Sequence, residues 1–253
     1  MIGILTDTTK CIGCSECVIA CKTTYNLGLD VPRRWQKNDG LSAKNWTSII
    51  RKPGGQFVRK QCRHCVEPSC VSACPVGALE KHDNGPVTYD GKKCMGCRYC
   101  MMACPYGIPR YDWDSAIPYV RKCILCYGRI AEGKKPACTE ACPTGATIFG
   151  DRDELLEKAK NRVAANPKLK LYGDDNEIGG TCVIYVSDID LSFLSYGKDL
   201  VGKEAPPHAT APYLGSIPFV APGVFFGSLG VYWVVQRRIK LQGETSGEDK
   251  KDE

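Results

Sequence analysis

The sequence predicts an α+β fold of two halves, each a small sheet with helices gathered around cysteines, followed by one apolar helix near the C-terminus. Three observations predict it. Four groups of four account for all but one of the 17 cysteines among 253 residues. A Cys-Pro-x-Gly unit recurs, ending in Gly77, Gly107 and Gly145, and marks an internal repeat. From Ala205 to Gln236 the chain has no Asp, Glu, Lys or Arg. The remaining composition, 43% hydrophobic and 25% charged, excludes a disordered or fibrous chain.

The first group is Cys11, Cys14, Cys17 and Cys21, and the third is Cys94, Cys97, Cys100 and Cys104, both with gaps of two, two and three residues. This is the bacterial ferredoxin run. The second group, Cys62, Cys65, Cys70 and Cys74, and the fourth, Cys123, Cys126, Cys138 and Cys142, keep the outer gaps and enlarge the middle one. A four-iron cube offers one iron at each of four corners and needs a soft thiolate on each. A short loop wraps three corners, and the fourth cysteine ligates the neighbouring cluster, so the groups work in pairs. Spacing alone does not say which groups pair. Proline after the fourth cysteine fixes the backbone where the chain leaves the site; it is present as Pro75, Pro105 and Pro143, whereas Lys22 follows Cys21. Four 4Fe-4S clusters are expected, in two ferredoxin-like halves of two clusters each. Two other uses of cysteine weigh less. Disulfide frameworks belong to chains well under about 100 residues, with other spacings. Paired Cys-x-x-Cys units could instead hold zinc, and a membrane-tethered zinc-binding interaction module is the rival reading from a different class.

The formal charge is +6. Four oxidised clusters at roughly −2 apiece would bring the loaded protein to roughly −2, so the basic excess reads as compensation. Lys10, Lys93 and Lys122 directly precede the first cysteines of their groups, and Lys60 lies two before Cys62. A cation there stabilises the reduced cluster and raises its potential, the alternative being solvated surface lysines. No basic stripe with interleaved aromatics supports nucleic-acid binding. His64, inside the second group, could hydrogen-bond a cluster sulfur or simply satisfy a loop carbonyl. Cys182, the odd cysteine, reads as a structural buried thiol. No acid-base pair, nucleophile elbow or phosphate loop points to catalysis.

Residues 1–150 are expected to form the cluster domain. Within it, residues 22–61 are a long insertion containing Arg33, Arg34, Trp35, Trp46 and the turn signal Pro53-Gly54-Gly55, expected to pack over the first cluster pair or to touch a partner. Residues 151–204 are read as a peripheral helix and strand. The helix is capped by Asp151 or Asp153, carries Leu155, Leu156, Ala159 and Val163 at helical spacing, and is stopped by Asn166-Pro167; the strand covers Thr181 to Val186. A linker over 205–212 leads to a membrane helix over 213–236, of which Ile217 to Gln236 alone would span about 30 Å. Tyr213, Tyr232 and Trp233 occupy belt positions, Pro218 and Pro222 weaken the first turns, and Gly223 and Gly227 could admit a neighbouring helix. Arg237, Arg238, Lys240, Lys250 and Lys251 after the span outweigh Lys198 and Lys203 before it. This charge bias predicts a single-pass protein of the cell membrane with a cytoplasmic C-terminus and a periplasmic cluster domain. Only ten residues precede Cys11, without a twin-arginine or hydrophobic stretch, so either the domain is exported with a signal-bearing partner or it faces the cytoplasm against the charge bias. The tail, 237–253, is polar and expected to be disordered from Gly243.

CIGCSEC, LSAKNWTSI, CRHCVEPSCVSACPVGAL, CMGCRYCMMACPYGIPRYDW, KCILC, PACTEACPTGATIFG and GGTCVIYV, with one C-terminal apolar helix, resemble the iron-sulfur beta subunit of membrane-bound formate dehydrogenase. The resemblance covers Lys10 to about Arg238, and extends to the four-cluster subunits serving molybdopterin enzymes of the dimethyl sulfoxide reductase family. It implies that Cys11, Cys14, Cys17 and Cys142 hold one cluster and Cys123, Cys126, Cys138 and Cys21 its neighbour. Cys62, Cys65, Cys70 and Cys104 would hold the third, and Cys94, Cys97, Cys100 and Cys74 the fourth. It also implies a non-catalytic electron wire of anaerobic respiration, placed between a molybdenum or tungsten molybdopterin subunit and a membrane cytochrome b or other quinone-reactive subunit. A hydrogenase or a polysulfide or thiosulfate reductase is the alternative partner.

Overall fold

The computed structural model describes residues 1–29, 39–115, 119–195 and 202–248, with side chains as far as Leu241. Arg33, Arg34 and Trp35 of the insertion, and Lys198, Lys250 and Lys251 of the charge comparison, lie outside the described residues. The protein forms two compact units, Met1–Pro207 and His208–Glu253.

The first unit opens with β1 (Ile2–Asp7), α1 (Glu16–Thr24), β2 (Thr47–Arg51), β3 (Phe57–Gln61), α2 (Ser69–Ser72), β4 (Leu79–Lys81), β5 (Val87–Tyr89) and α3 (Tyr99–Ala103). It continues with β6 (Arg110–Tyr111), β7 (Val120–Arg121), α4 (Tyr127–Ala131), α5 (Ala137–Glu140), β8 (Thr147–Asp151), α6 (Arg152–Ala165), β9 (Lys170–Tyr172) and β10 (Val183–Ser187). One mixed sheet runs in the order β8-β1-β10-β9, and three hairpins, β2-β3, β4-β5 and β6-β7, stand apart from it. The α+β class is therefore realised, with cysteine loops and short helices between the hairpins.

The sheet separates an ordinary core from a sulfur-rich one by the period-two alternation of strands. Leu5, Ile184 and Val186 face α6, where they pack with Leu155, Leu156 and Ala159. Ile4, Val183 and Tyr185 face the other way, onto Val58, Leu125, Cys17 and Cys138. β1 holds β10 in parallel register, Leu5 opposite Ile184, and β8 in antiparallel register, Ile4 opposite Phe149. The strand read as peripheral thus lies inside the sheet. Its Val-Ile-Tyr-Val run is buried on both faces, which is why the sequence there is continuously apolar. The capping expectation resolves to Asp151, whose carboxylate accepts from the backbone N–H of Asp153 at 2.9 Å, and Asn166 ends the helix.

In the insertion, Pro53-Gly54-Gly55 closes the β2-β3 hairpin, with Gly54 and Gly55 at φ 95° and 84°. β3 carries Arg59, Lys60 and Gln61 inward, all about 2% exposed. Cys182 is fully buried, with Sγ 3.6 Å from the Gly85 carbonyl and 3.7 Å from Lys81 Nζ.

The second unit belongs to α7 (Pro206–Glu248), which is long and apolar enough to cross a bilayer between Pro206 and Leu241. Helix replaces most of the expected linker and continues past Gly243 into the expected disordered tail. Pro212, Pro218 and Pro222 lie inside it. Ser216 and Ser228 donate their hydroxyls to the carbonyls of Tyr213 and Val224, at 2.7 and 2.8 Å, so these polar groups are satisfied within the helix as a bilayer interior demands.

Candidate functional site

Each cysteine group repeats one local geometry. The residue before the second cysteine has a left-handed backbone in all four: Gly13 at φ 73°, His64 at 47°, Gly96 at 76° and Leu125 at 55°. The turn aims backbone N–H groups at the first sulfur; those of Gly96 and Leu125 donate to Cys94 and Cys123 Sγ, both at 3.4 Å. At Gly13 a β-carbon would also strike the Phe57 ring. The Cys-Pro-x-Gly unit does the same for the fourth cysteine. Gly77, Gly107 and Gly145 take φ near 60°, and the next residues, Ala78 and Ile108, donate to Cys74 and Cys104 Sγ at 3.2 and 3.5 Å. Cys21 needs no such unit because α1 runs on through it to Thr24.

The thiols gather across the sequence. Cys21, Cys123, Cys126 and Cys138 line one cavity with Tyr25, Trp46 and Arg59. Cys74, Cys94, Cys97 and Cys100 line a second with Tyr89, Met95 and Arg98. Among sulfurs, Cys142 and then Cys14 raise the Cys11 thiol most, and Cys104, Cys62 and Cys70 raise that of Cys65. Among the described residues no three Cys, His, Asp or Glu side chains converge on a single ion. A tetrahedral zinc site would bring its sulfurs to about 3.8 Å of one another, given Zn–S bonds of about 2.3 Å. A four-iron cube holds its thiolates farther apart, and the donor set, all sulfur with N–H groups turned onto it, fits such a cube.

Burial pushes the Cys21 thiol up to about 12, with Cys138 and Cys126 adding to the shift. Burial likewise takes Cys70 to about 12 against the field of Lys122, and Cys100 to about 11 with help from Cys94 and Cys74. At neutral pH such thiols keep their protons until a metal displaces them, so loading the site releases protons. Cys142 differs: burial raises its pKa, but N–H groups of Thr147 and Ala146 and the Thr144 hydroxyl outweigh this and leave it below the usual thiol range.

The lysine expectation divides. Lys60 and Lys122 are buried at 2% exposure, whereas Lys10 and Lys93 are exposed. Lys60 Nζ pairs with Asp39 at 2.9 Å, which also takes Arg110 at 2.6 Å, so its charge is largely cancelled. Lys122 Nζ donates to the carbonyls of Val87 and Cys123, and its field acts on the Cys70 thiol of the second group. His64 is 1% exposed; its Nδ1 accepts from the Val87 N–H at 2.9 Å, leaving the proton on Nε2, which has no partner among the described residues. Burial first, then Lys122 and Lys81, hold its pKa well below 6.5, so it is neutral. The sequence reading missed Arg59 and Arg63. Arg63 lies with its guanidinium 4.0 Å from the Tyr185 ring centre and 5.0 Å from that of Tyr106. Their signal was present as basic residues set into the Val-Arg-Lys-Gln strand and the first Cys-x-x-Cys after it.

A 4Fe-4S dicluster domain model matches residues 54–152. The hydrogenase-2 operon protein HybA of Escherichia coli O157:H7 is 42% identical over 66% of this sequence, which spans only 56% of that protein. The B component of the anaerobic dimethyl sulfoxide reductase of Escherichia coli is 38% identical over 65% of this sequence and 80% of its own. The iron-sulfur subunit of the nitrate-inducible formate dehydrogenase of Escherichia coli is 38% identical over 73% and 67%. These identities are alike across three differently named systems, so similarity does not single out formate dehydrogenase. The protein belongs to the 4Fe-4S dicluster family of iron-sulfur subunits that includes the B component of anaerobic dimethyl sulfoxide reductase.

Proposed function

We propose that this protein is a non-catalytic electron-transfer subunit with four 4Fe-4S clusters, relaying single electrons between a molybdopterin catalytic subunit and a membrane cytochrome b or other quinone-reactive subunit. The proposed ligand sets are Cys11, Cys14, Cys17 and Cys142; Cys21, Cys123, Cys126 and Cys138; Cys62, Cys65, Cys70 and Cys104; and Cys74, Cys94, Cys97 and Cys100. The observation that carries the reading is the gathering of thiols distant in sequence around two cavities, each lined by one of these sets. Neighbouring charges between sets support a single row: Cys17 feels Cys138, Cys123 feels Cys62, and Cys70 feels Cys100. When bound, the clusters supply one-electron redox chemistry. The protein's own residues hold the sulfurs, turn N–H groups onto them and keep water from the inner sets.

Two apolar ends suit a wire with a partner at each. Ile12 and Ile19 are 60% and 54% exposed beside the first group, and Met95 and Met102 are 65% and 84% exposed at the same repeat positions of the third. The LSAKNWT stretch and the single C-terminal helix favour a formate dehydrogenase-like partner; the 42% identity to the hydrogenase-2 operon protein favours a hydrogenase as the second reading. The charge bias around α7 favours a periplasmic cluster domain. Anaerobic copurification with mass spectrometry of the bound subunits tests the reading. A molybdopterin-type or hydrogenase large subunit is expected with a quinone-reactive membrane subunit; a colourless zinc protein without either would overturn it.

A further inference from the structure

Arg59 is an ion in a place that normally excludes one. It is 2% exposed and lies in β3, facing the cavity lined by Cys21, Cys123, Cys126 and Cys138. Nε donates to Thr47 Oγ1 at 3.0 Å, and Nη2 donates to Gln61 Oε1. Thr47 and Gln61 face each other across the β2-β3 hairpin, so the fork is clamped by the hairpin's register. Nη1 is buried and has no acceptor among the described residues. No carboxylate pairs with it there; the buried Asp39 is taken by Lys60 and Arg110. A sealed guanidinium without an anion is among the costliest groups to bury, and its charge must be answered by something in reach. Burial opposes the charge, and the groups placed to favour it are Cys138 and Cys17, then Tyr185 and Cys123, sulfurs and a phenol that are negative only when ionised or metal-bound. The second cavity has no equivalent: its arginine, Arg98, is exposed to solvent.

We propose that Arg59 is a potential-setting residue: its clamped guanidinium donates from Nη1 to sulfur in the cavity of Cys21, Cys123, Cys126 and Cys138 and raises the reduction potential of the cluster held there. The inference rests on the proposed function, because it needs that cluster. The reduced form carries one more negative charge, so a fixed, desolvated cation favours it over the oxidised form. Arg59 also reaches Cys17, so the adjoining cluster shifts less in the same direction, and the cluster of Cys74, Cys94, Cys97 and Cys100 does not shift.

The test is a redox titration, followed by electron paramagnetic resonance, of the anaerobically purified full-length complex carrying R59Q, R59K or Q61E. R59Q is expected to lower one midpoint by at least tenfold in the reduction equilibrium, 59 mV for a one-electron couple, with iron unchanged and at least two midpoints unmoved. R59K keeps the charge and is expected to retain most of the wild-type potential. Q61E sets a carboxylate against the guanidinium and is expected to act like R59Q without removing it; should R59Q lose iron, Q61E decides by the same criterion. Full iron with four unmoved midpoints, or R59K falling as far as R59Q, would overturn the proposal. Wild-type protein lacking iron would overturn the proposed function beneath it, a separate and recognisable result.

Discussion

The two thiol-lined cavities are built by the same kind of turn, yet their surroundings differ. Around the first, Cys21, Cys126 and Cys138 are buried beneath the β2-β3 hairpin, and the neighbouring cation is sealed in. Around the second only Cys100 is buried, and Val76, Met95 and Tyr99 are exposed beside it. Ligand spacing therefore sets what can bind, while depth sets how it behaves. A buried site has a low dielectric in which one charge acts strongly; an exposed site is screened and free to meet another surface.

Substituting cysteines should break the comparison most strongly. Metal analysis of C138S and C97S is expected to show a loss of about four irons per molecule in each, but C138S should also lose the folded state, because its sulfur lies in the core with Ile4, Val58 and Leu125. C97S, nearer the surface, should remain folded with a lowered melting temperature. Next in size, L155A opens a hole between α6 and the sheet; it should cost about 2–5 kcal/mol in denaturant titration, with iron content and potentials unchanged. This separates the ordinary core from the sulfur-rich one. The smallest effect is expected at Arg98, which stands over Tyr111 and Trp113 at 5.5 Å in solvent. R98A should move the nearest midpoint far less than R59Q does, and the difference should disappear at about 1 M salt, where screening reaches about 3 Å.

The sequence was most legible where local chemistry decides alone. Cysteine spacing located every cysteine of the two cavities, the Asp151 cap and the Asn166 stop bounded α6, and the uncharged stretch from Ala205 revealed α7. It was least legible where distant segments meet. Strand β10 reads as peripheral because nothing local says that its run pairs with β1, some 180 residues earlier. Lys60, Lys122, Lys10 and Lys93 looked equivalent by their offset from cysteine; burial, a property of the whole fold, separated them. Arg59 was overlooked because a charged residue in a strand reads as solvent-facing. Only the hairpin register and the sulfur behind it make its position intelligible. The proline and glycine of the repeat were visible, but their purpose, aiming the N–H of Ala78 and Ile108 at sulfur, needed the backbone.

The most direct test is iron, acid-labile sulfide and zinc determined together on the wild-type protein purified without air. The account predicts a brown protein with roughly sixteen irons and as many sulfides per molecule and no stoichiometric zinc. Four irons or fewer, or zinc in their place, would contradict it.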